Sequence, residues 1–356
     1  MRYRPAWYLP SPHLSTLWAR FARRSRLAGG APHVERWQTP DDDFVELVRV
    51  DAPSAEAPRL VLLHGLEGSA RSHYVPGILA EAARRGWGAD LLLFRGCGAE
   101  LNRTARFYHS GETGDLSFVL ERIAREHPGA PLLLAGVSLG GNVTLKWLGE
   151  QGRAEREGRS PHPALARVVA AATVSVPYDL ARAARHIDRG FSRVYQWSFL
   201  RSLKRKARAK LERFPGVVDA EAVRRARTLW EFDDALTAPL HGFRDAADYY
   251  ARSSSLGFLA HVRVPTLLLS ALDDPFLPRE VLAAVAATAR KNASLVLEFP
   301  ERGGHVGFVS GRNPLRSEFY AEWRVSDFLA NRLSSVARDG TAPAPVLVSD
   351  DSSRAG

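Results

Sequence analysis

A single cysteine, Cys97, stands in 356 residues. It excludes an intrachain disulfide and any multi-cysteine metal site, and it fits a reducing compartment such as the cytoplasm. Long apolar runs are missing as well: no stretch approaches 18 consecutive apolar residues, so a membrane-spanning helix is not expected. The opening MRYRPAWYLPSPHLSTLWARFARRSRL has neither a long apolar core nor a small-residue cleavage site, and it does not read as a secretory signal. Acids are absent from it, since six arginines precede the first acid, Glu35. Residues 1–40 are therefore expected to be a basic, aromatic extension packed on the core, with contact of snorkelling arginines on a membrane surface as the other reading. No internal repeat is found.

What is present is the composition of an ordinary globular protein, 45% apolar and 25% charged. The length suits one large domain with an inserted subdomain, or two domains. The net charge of +10 is uneven, because RSLKRKARAKLER, residues 201–213, holds seven Lys or Arg against one Glu. On a helix such a run is most often a solvated face. No nucleic-acid motif or interleaved aromatic accompanies it, so nucleic acid is not an expected partner, whereas an anionic membrane surface or acidic partner stays open.

Short apolar runs alternate with helical patterns, which predicts a mostly parallel sheet buried on both faces by helices. The strands are read at RLVLLHG from 59, ADLLLFRG from 89, PLLLAG from 131, RVVAAATVSV from 167, TLLLSA from 266 and SLVLEF from 294. The alternation stops after residue 180. Residues 181–262, rich in Arg, Ala and aromatics, read as a helical cap inserted into a core of 41–180 and 263–337. Residues 338–356 read as a disordered tail.

AGVSLGGNV, residues 135–143, carries a G-x-S-x-G that chance alone can supply. Its context says more. PLLLA ahead of it is a buried-strand run, and Leu139, Val143 and Trp147 behind it recur every four residues as one helical face does. Ser138 is then at a sharp strand-to-helix turn that pushes its Oγ above the sheet, while Gly136 and Gly140 remove side chains that would collide there. The N–H of Leu139 can face an oxyanion.

A serine alcohol needs a base, and with this elbow the order is Ser, then Asp or Glu, then His. Asp273 and Asp274 follow a late strand in LDDPFLP, and His305 in ERGGHVGF is the only histidine beyond them. After the first of these strands, HGLEGS offers the N–H of Leu66 as a second oxyanion donor, and His64 in the same turn reads as a loop-structuring residue. Cys97 reads as a packed small residue. His109, Glu112 and Asp115 match no zinc spacing and read as a hydrogen-bonded loop beside the site.

Together HGLEGS, RGCGAELN, RFYHSGET, GVSLGGN, KWLGE, LDDPF and GGHVGF, spanning residues 64–308, resemble the α/β-hydrolase superfamily. More narrowly they resemble its YheT-like branch, which includes eukaryotic membrane-associated α/β-hydrolase-domain lipases. The resemblance implies Ser138, an aspartate of LDDPF and His305 as the charge-relay residues. The acid of that superfamily precedes a proline by about four residues, as Asp274 does Pro278, so Asp274 is chosen with Asp273 as runner-up. Two departures stand outside these residues: HLST, where relatives commonly carry a glutamine, and the tail.

The expected activity is hydrolysis of carboxylic esters through an acyl-enzyme, with no metal or organic cofactor. The resemblance implies short- or medium-chain acyl esters, acylglycerols and phospholipids as substrate classes. A catalytically silent binding protein of the same fold, and a binder of anionic surfaces or acidic partners through residues 201–213, are the alternatives. Oligomeric state is not legible.

Overall fold

The computed structural model describes residues 2–23 and 32–338; the tail expected from residue 338 thus lies, beyond Arg338 itself, outside the described residues. Eight strands form one sheet: β1 (His33–Gln38), β2 (Phe44–Val50), β3 (Arg59–Leu63), β4 (Gly88–Leu93), β5 (Leu132–Val137), β6 (Val168–Val174), β7 (Thr266–Leu269) and β8 (Leu295–Glu298). Their order is β1-β2-β4-β3-β5-β6-β7-β8. From β4 to β8 neighbours pair in parallel, and β2 runs antiparallel to both β1 and β4.

The apolar runs are continuous because both faces of the sheet are covered. On β5, Leu132 and Leu134 pack toward α3 (Gly114–Glu126) and α4 (Leu139–Arg156). Leu133 and Ala135 pack toward α2 (Val75–Arg84) and the helix Tyr320–Arg338. Alternation of side chains on a strand sends successive residues to opposite faces, so a strand buried on both sides has no polar face to show.

The expected start of the core at residue 41 is corrected by β1, whose residues 33–38 belong to the sheet. Both β1 and β2 escape a search for apolar runs because they carry charge. Arg49 lies 2.7 Å from Asp90 and 2.8 Å from Glu35, and Glu46 lies 2.9 Å from Arg36. Each buried charge is matched across strands, which is the condition for burying it at all.

Between β6 and β7 the described chain forms helices and no strand: α5 (Leu180–Ile187), α6 (Ser192–Arg213), α7 (Ala220–Arg225), α8 (Leu229–Phe232), α9 (Ala238–Leu240) and α10 (Ala246–Ser253). A π-helical turn, Asp233–Thr237, joins α8 to α9. The segment has small apolar clusters of its own, one around Leu180, Tyr249 and Tyr250 and another around Leu200, Val223 and Phe232. No helix among the described residues is long and apolar enough to cross a membrane.

At the N-terminus α1 (Pro12–Ala22) buries Ser15 and Ala19. It lies against the loop that carries His305. A Cβ on Gly304, which has φ +64°, would meet Pro12 O at 2.5 Å, and one on Gly307 would meet Ser15 O at 2.8 Å. Only glycine permits that approach.

Candidate active site

Ser138 is the residue between β5 and α4, and its backbone is strained at φ +54°, ψ −120°. The turn is as tight as its sequence suggested. A Cβ on Gly136 would meet Gly140 O at 2.5 Å and Gly141 Cα at 2.6 Å, while one on Gly140 would meet Leu63 O at 2.4 Å. Gly136 thus lets strand and helix close, whereas Gly140 lets the helix approach the end of the neighbouring strand β3. That placement matters because β3 is where the sheet's winding reverses, with β4 on one side and β5 on the other. Open parallel sheets form their binding crevice at such a point, beyond the carboxyl ends of the strands.

His305 comes from the loop after β8 and meets Ser138 there. Its Nε2 is 3.1 Å from Ser138 Oγ, and its Nδ1 is 2.9 Å and 3.1 Å from the two carboxylate oxygens of Asp274. The carboxylate can only accept, so Nδ1 carries the proton and Nε2 accepts from the serine hydroxyl. Asp274 is buried, and one of its oxygens also accepts from the Phe276 N–H at 2.8 Å.

The adjacent aspartate faces elsewhere. Asp273 Oδ1 accepts the N–H groups of Gly303 at 2.8 Å and Gly304 at 2.9 Å, bracing the loop that presents His305. Burial raises the Asp273 pKa, and the two amide bonds oppose that shift. Of the two candidates, then, Asp274 is in contact with the imidazole and Asp273 with the backbone behind it.

Leu66 and Leu139 both line the crevice with Ser138 and His305. Leu139 is the first residue of α4, where an N–H has no intrahelical acceptor. The amides flanking Leu66 are engaged, Gly65 N–H with Tyr74 Oη at 2.7 Å and Glu67 N–H with Tyr108 Oη at 2.9 Å. Glu67, at φ +53°, is held in turn by Tyr108, by Ser202 and by Lys206 at 2.8 Å. The turn carrying Leu66 is therefore tied to α6.

His64 is buried in that turn. Its Nε2 accepts the Phe94 N–H at 3.2 Å, leaving Nδ1 to donate to Gly65 O at 2.8 Å, and burial lowers its pKa to about 4. It is a neutral brace. Cys97 is buried 3.3 Å from Lys206 Nζ, and burial pushes its thiol up to about 11, away from thiolate chemistry. Glu112 engages Arg106 and the Gly114 N–H, Asp115 engages Arg95, and His109 Nδ1 accepts the Gly111 N–H. Among the described residues no group of three or more His, Cys, Asp or Glu is disposed to hold a metal ion.

The crevice widens into a pocket of about 1080 Å³, mouth included, under α5, α6 and the helices up to α10. Its wall is mostly apolar, with Ile187, Phe199, Leu203, Leu236 and Phe276 among the lining side chains.

The alpha/beta hydrolase fold family matches residues 58–311. The chain belongs to that family. Within it the chain falls in the YheT-like branch, being 38% identical over 327 residues to the protein named "Putative esterase YheT" of Escherichia coli, with 91% of each chain covered. The protein named phospholipase ABHD3 of Mus musculus is 30% identical over 255 residues, which are 71% of this chain and 59% of that protein. Among solved structures, the Pyrococcus furiosus esterase Pf2001 superposes with a TM-score of 0.54 at 15% identity, over 86% of this chain and 99% of that one, a likeness of fold.

This α/β-hydrolase also uses residues that sequence reasoning did not single out. Phe276 stacks on the His305 ring with centroids 4.1 Å apart. Thr16 of α1 accepts the His305 N–H at 2.9 Å and donates to Pro12 O at 2.8 Å. It sits in HLST, the stretch noted above for its departure, but nothing in that stretch announces a contact with a loop 289 residues away. Thr16→Val keeps the shape and removes the acceptor, leaving a half-buried N–H unpaired at a cost of about 1 kcal/mol. Its unfolding midpoint in urea should fall by a corresponding amount, and kcat should fall more than KM rises. An unchanged midpoint and kcat would remove the brace from the site.

The basic run also resolves into two faces. Lys204 binds the carbonyls of Arg224 and Ala226, Lys206 binds Glu67, and Lys210 is buried against the carbonyls of Asn102 and Thr104. Arg201, Arg205, Arg208 and Arg213 are exposed. Two of the run's seven charges, Lys206 and Lys210, thus hold α6 to the core, and a third, Lys204, holds it to the end of α7.

Proposed function

We propose that the chain is a serine hydrolase that cleaves carboxylic esters of short or medium acyl chains through Ser138, His305 and Asp274. The observation that carries this reading is the hydrogen-bonded relay from Asp274 through His305 to the strained Ser138 at the floor of an apolar pocket. Ser138 Oγ attacks the acyl carbon as His305 Nε2 takes its proton, and the Asp274 carboxylate holds the imidazole in the required tautomer and stabilises the imidazolium. The Leu66 and Leu139 N–H groups receive the oxyanion. His305 then returns the proton to the leaving alcohol and activates the water that releases the acyl group. The names of the relatives, an esterase and a phospholipase, agree with ester chemistry.

The helices between β6 and β7 act as a cap in this reading, and one face of it suits an anionic lipid surface. Phe191, Val194 and Trp197 of the α6 start are 51%, 52% and 62% exposed, beside Arg193 and Arg201. Such aromatic and arginine neighbours insert at a lipid interface and meet anionic head groups.

One experiment tests both statements. The purified protein should hydrolyse p-nitrophenyl esters of short or medium acyl chain faster than long-chain ones, the acyl group lying on the apolar lining beside Ser138, and a fluorophosphonate probe should label it. The same ester presented in phosphatidylglycerol vesicles should turn over faster than in phosphatidylcholine vesicles. Absence of labelling and turnover would favour the silent binding protein, and equal rates in the two vesicles would remove the anionic surface.

A further inference from the structure

One feature of the pocket does not match an all-apolar acyl chain. Asp233, on the π turn, lines the same cavity as Ser138 and His305. π turns cost helix geometry and recur at functional positions. This one puts a carboxylate on a stretch of lining that also holds Phe232, Leu236 and Leu240, with Thr237, His241 and Tyr250 beside them. Thr237 donates to Oδ1 and Tyr250 to Oδ2, each at 2.6 Å. Among the described residues no Lys, Arg or His pairs with Asp233 at salt-bridge distance. Burial raises its pKa to about 6, against the two hydrogen bonds, so the carboxylate is held where ionisation is costly.

A carboxylate offers about four acceptor positions, and two neutral donors fill only two of them. An unpaired charge against an apolar wall costs several kcal/mol in general, and tethering a turn to α10 could be done by a neutral acceptor. Asp233 lines the cavity together with Thr237 and Tyr250, so a group bound there can meet the open positions. Trp230 packs edge-on to Tyr250 with centroids 5.0 Å apart, which fixes the ring that donates to Oδ2.

We propose that Asp233 is an acceptor subsite that selects esters bearing a hydrogen-bond donor, a hydroxyl or an ammonium, remote from the scissile carbonyl. The inference rests on the ester-hydrolase reading above and narrows its substrate class. A donor group entering an apolar pocket with no acceptor is penalised relative to a methyl, so a preference for it is diagnostic.

The test compares kcat/KM of the whole protein on matched esters of four to ten carbons that end in methyl, hydroxyl or ammonium, placed on the acyl side in one set and on the alcohol side in another. In at least one set a donor ester should exceed its methyl counterpart by about tenfold or more, as a hydrogen bond to a charged group implies. In Asp233→Leu that ratio should fall at least tenfold. In Asp233→Asn it should survive in part if the donor is a hydroxyl and vanish if it is an ammonium. Because the readout is a ratio within one protein, loss of stability or of general activity cancels from it. Wild-type ratios at or below one in both sets would overturn the inference even without a folded variant, as would a ratio unchanged in Asp233→Leu. Those outcomes leave hydrolysis of methyl-ended esters in place. Loss of turnover on every ester would instead strike the ester-hydrolase reading itself, and this inference with it.

Discussion

Ser138→Ala should lower kcat/KM for a p-nitrophenyl ester by on the order of 10⁵–10⁶-fold and abolish fluorophosphonate labelling, because nucleophile and base act as one unit. The same logic makes His305→Ala nearly as damaging and the double variant no worse than either single one. Additive losses would mean that the 3.1 Å contact between them is not used in the reaction. The elbow adds a stability signature that an ordinary surface serine would not have. At φ +54°, ψ −120° Ser138 occupies backbone space where a side chain is penalised. Ser138→Ala keeps that penalty, whereas Ser138→Gly removes it and should raise the unfolding free energy by on the order of 1 kcal/mol, measured in urea. An inactive variant more stable than its parent would show that the strain belongs to the nucleophile's presentation. A glycine variant less stable than the alanine variant would show that the backbone is comfortable there.

The parts of the site legible in the sequence are those encoded by neighbours along the chain. β5, the serine turn and α4 are contiguous, and each leaves a local trace: an apolar run, glycines where backbones meet, a four-residue apolar repeat. The order of serine, acid and histidine could also be read without knowing any distance. What resisted reading was encoded by partners far apart. β2 hides its burial behind Arg49 and Glu46, whose charges are matched by residues of other elements, and β1 is an edge strand that buries only Trp37. Thr16 reaches His305 only because the glycines of the His305 loop admit α1. The basic run looked like one solvated face, and it is divided because the flexible stems of Lys204, Lys206 and Lys210 reach carbonyls and a carboxylate that the periodicity of α6 cannot reveal.

The two aspartates of LDDPF offer the sharpest test of the relay. Asp274→Asn is expected to lower kcat by about 10⁴-fold with little change in fold. An amide in place of the carboxylate can offer its NH₂ to Nδ1, which stabilises the tautomer with the proton on Nε2, and that nitrogen can no longer take the serine proton. Asp273→Asn keeps an oxygen where the Gly303 and Gly304 N–H groups converge, so the loop stays braced. It should cost less than about tenfold, since only the difference between charged and neutral acceptors is lost, about 1 kcal/mol. The contrast also separates electrostatics from geometry. If a second negative charge near the imidazolium were what mattered, both variants would suffer, and Asp273→Asn would shift the pH at which kcat/KM reaches half its maximum downward by as much as Asp274→Asn does. With contact at 2.9 Å on one side and backbone amides on the other, only Asp274→Asn should act on the chemical step. A larger loss in Asp273→Asn than in Asp274→Asn would reverse the assignment.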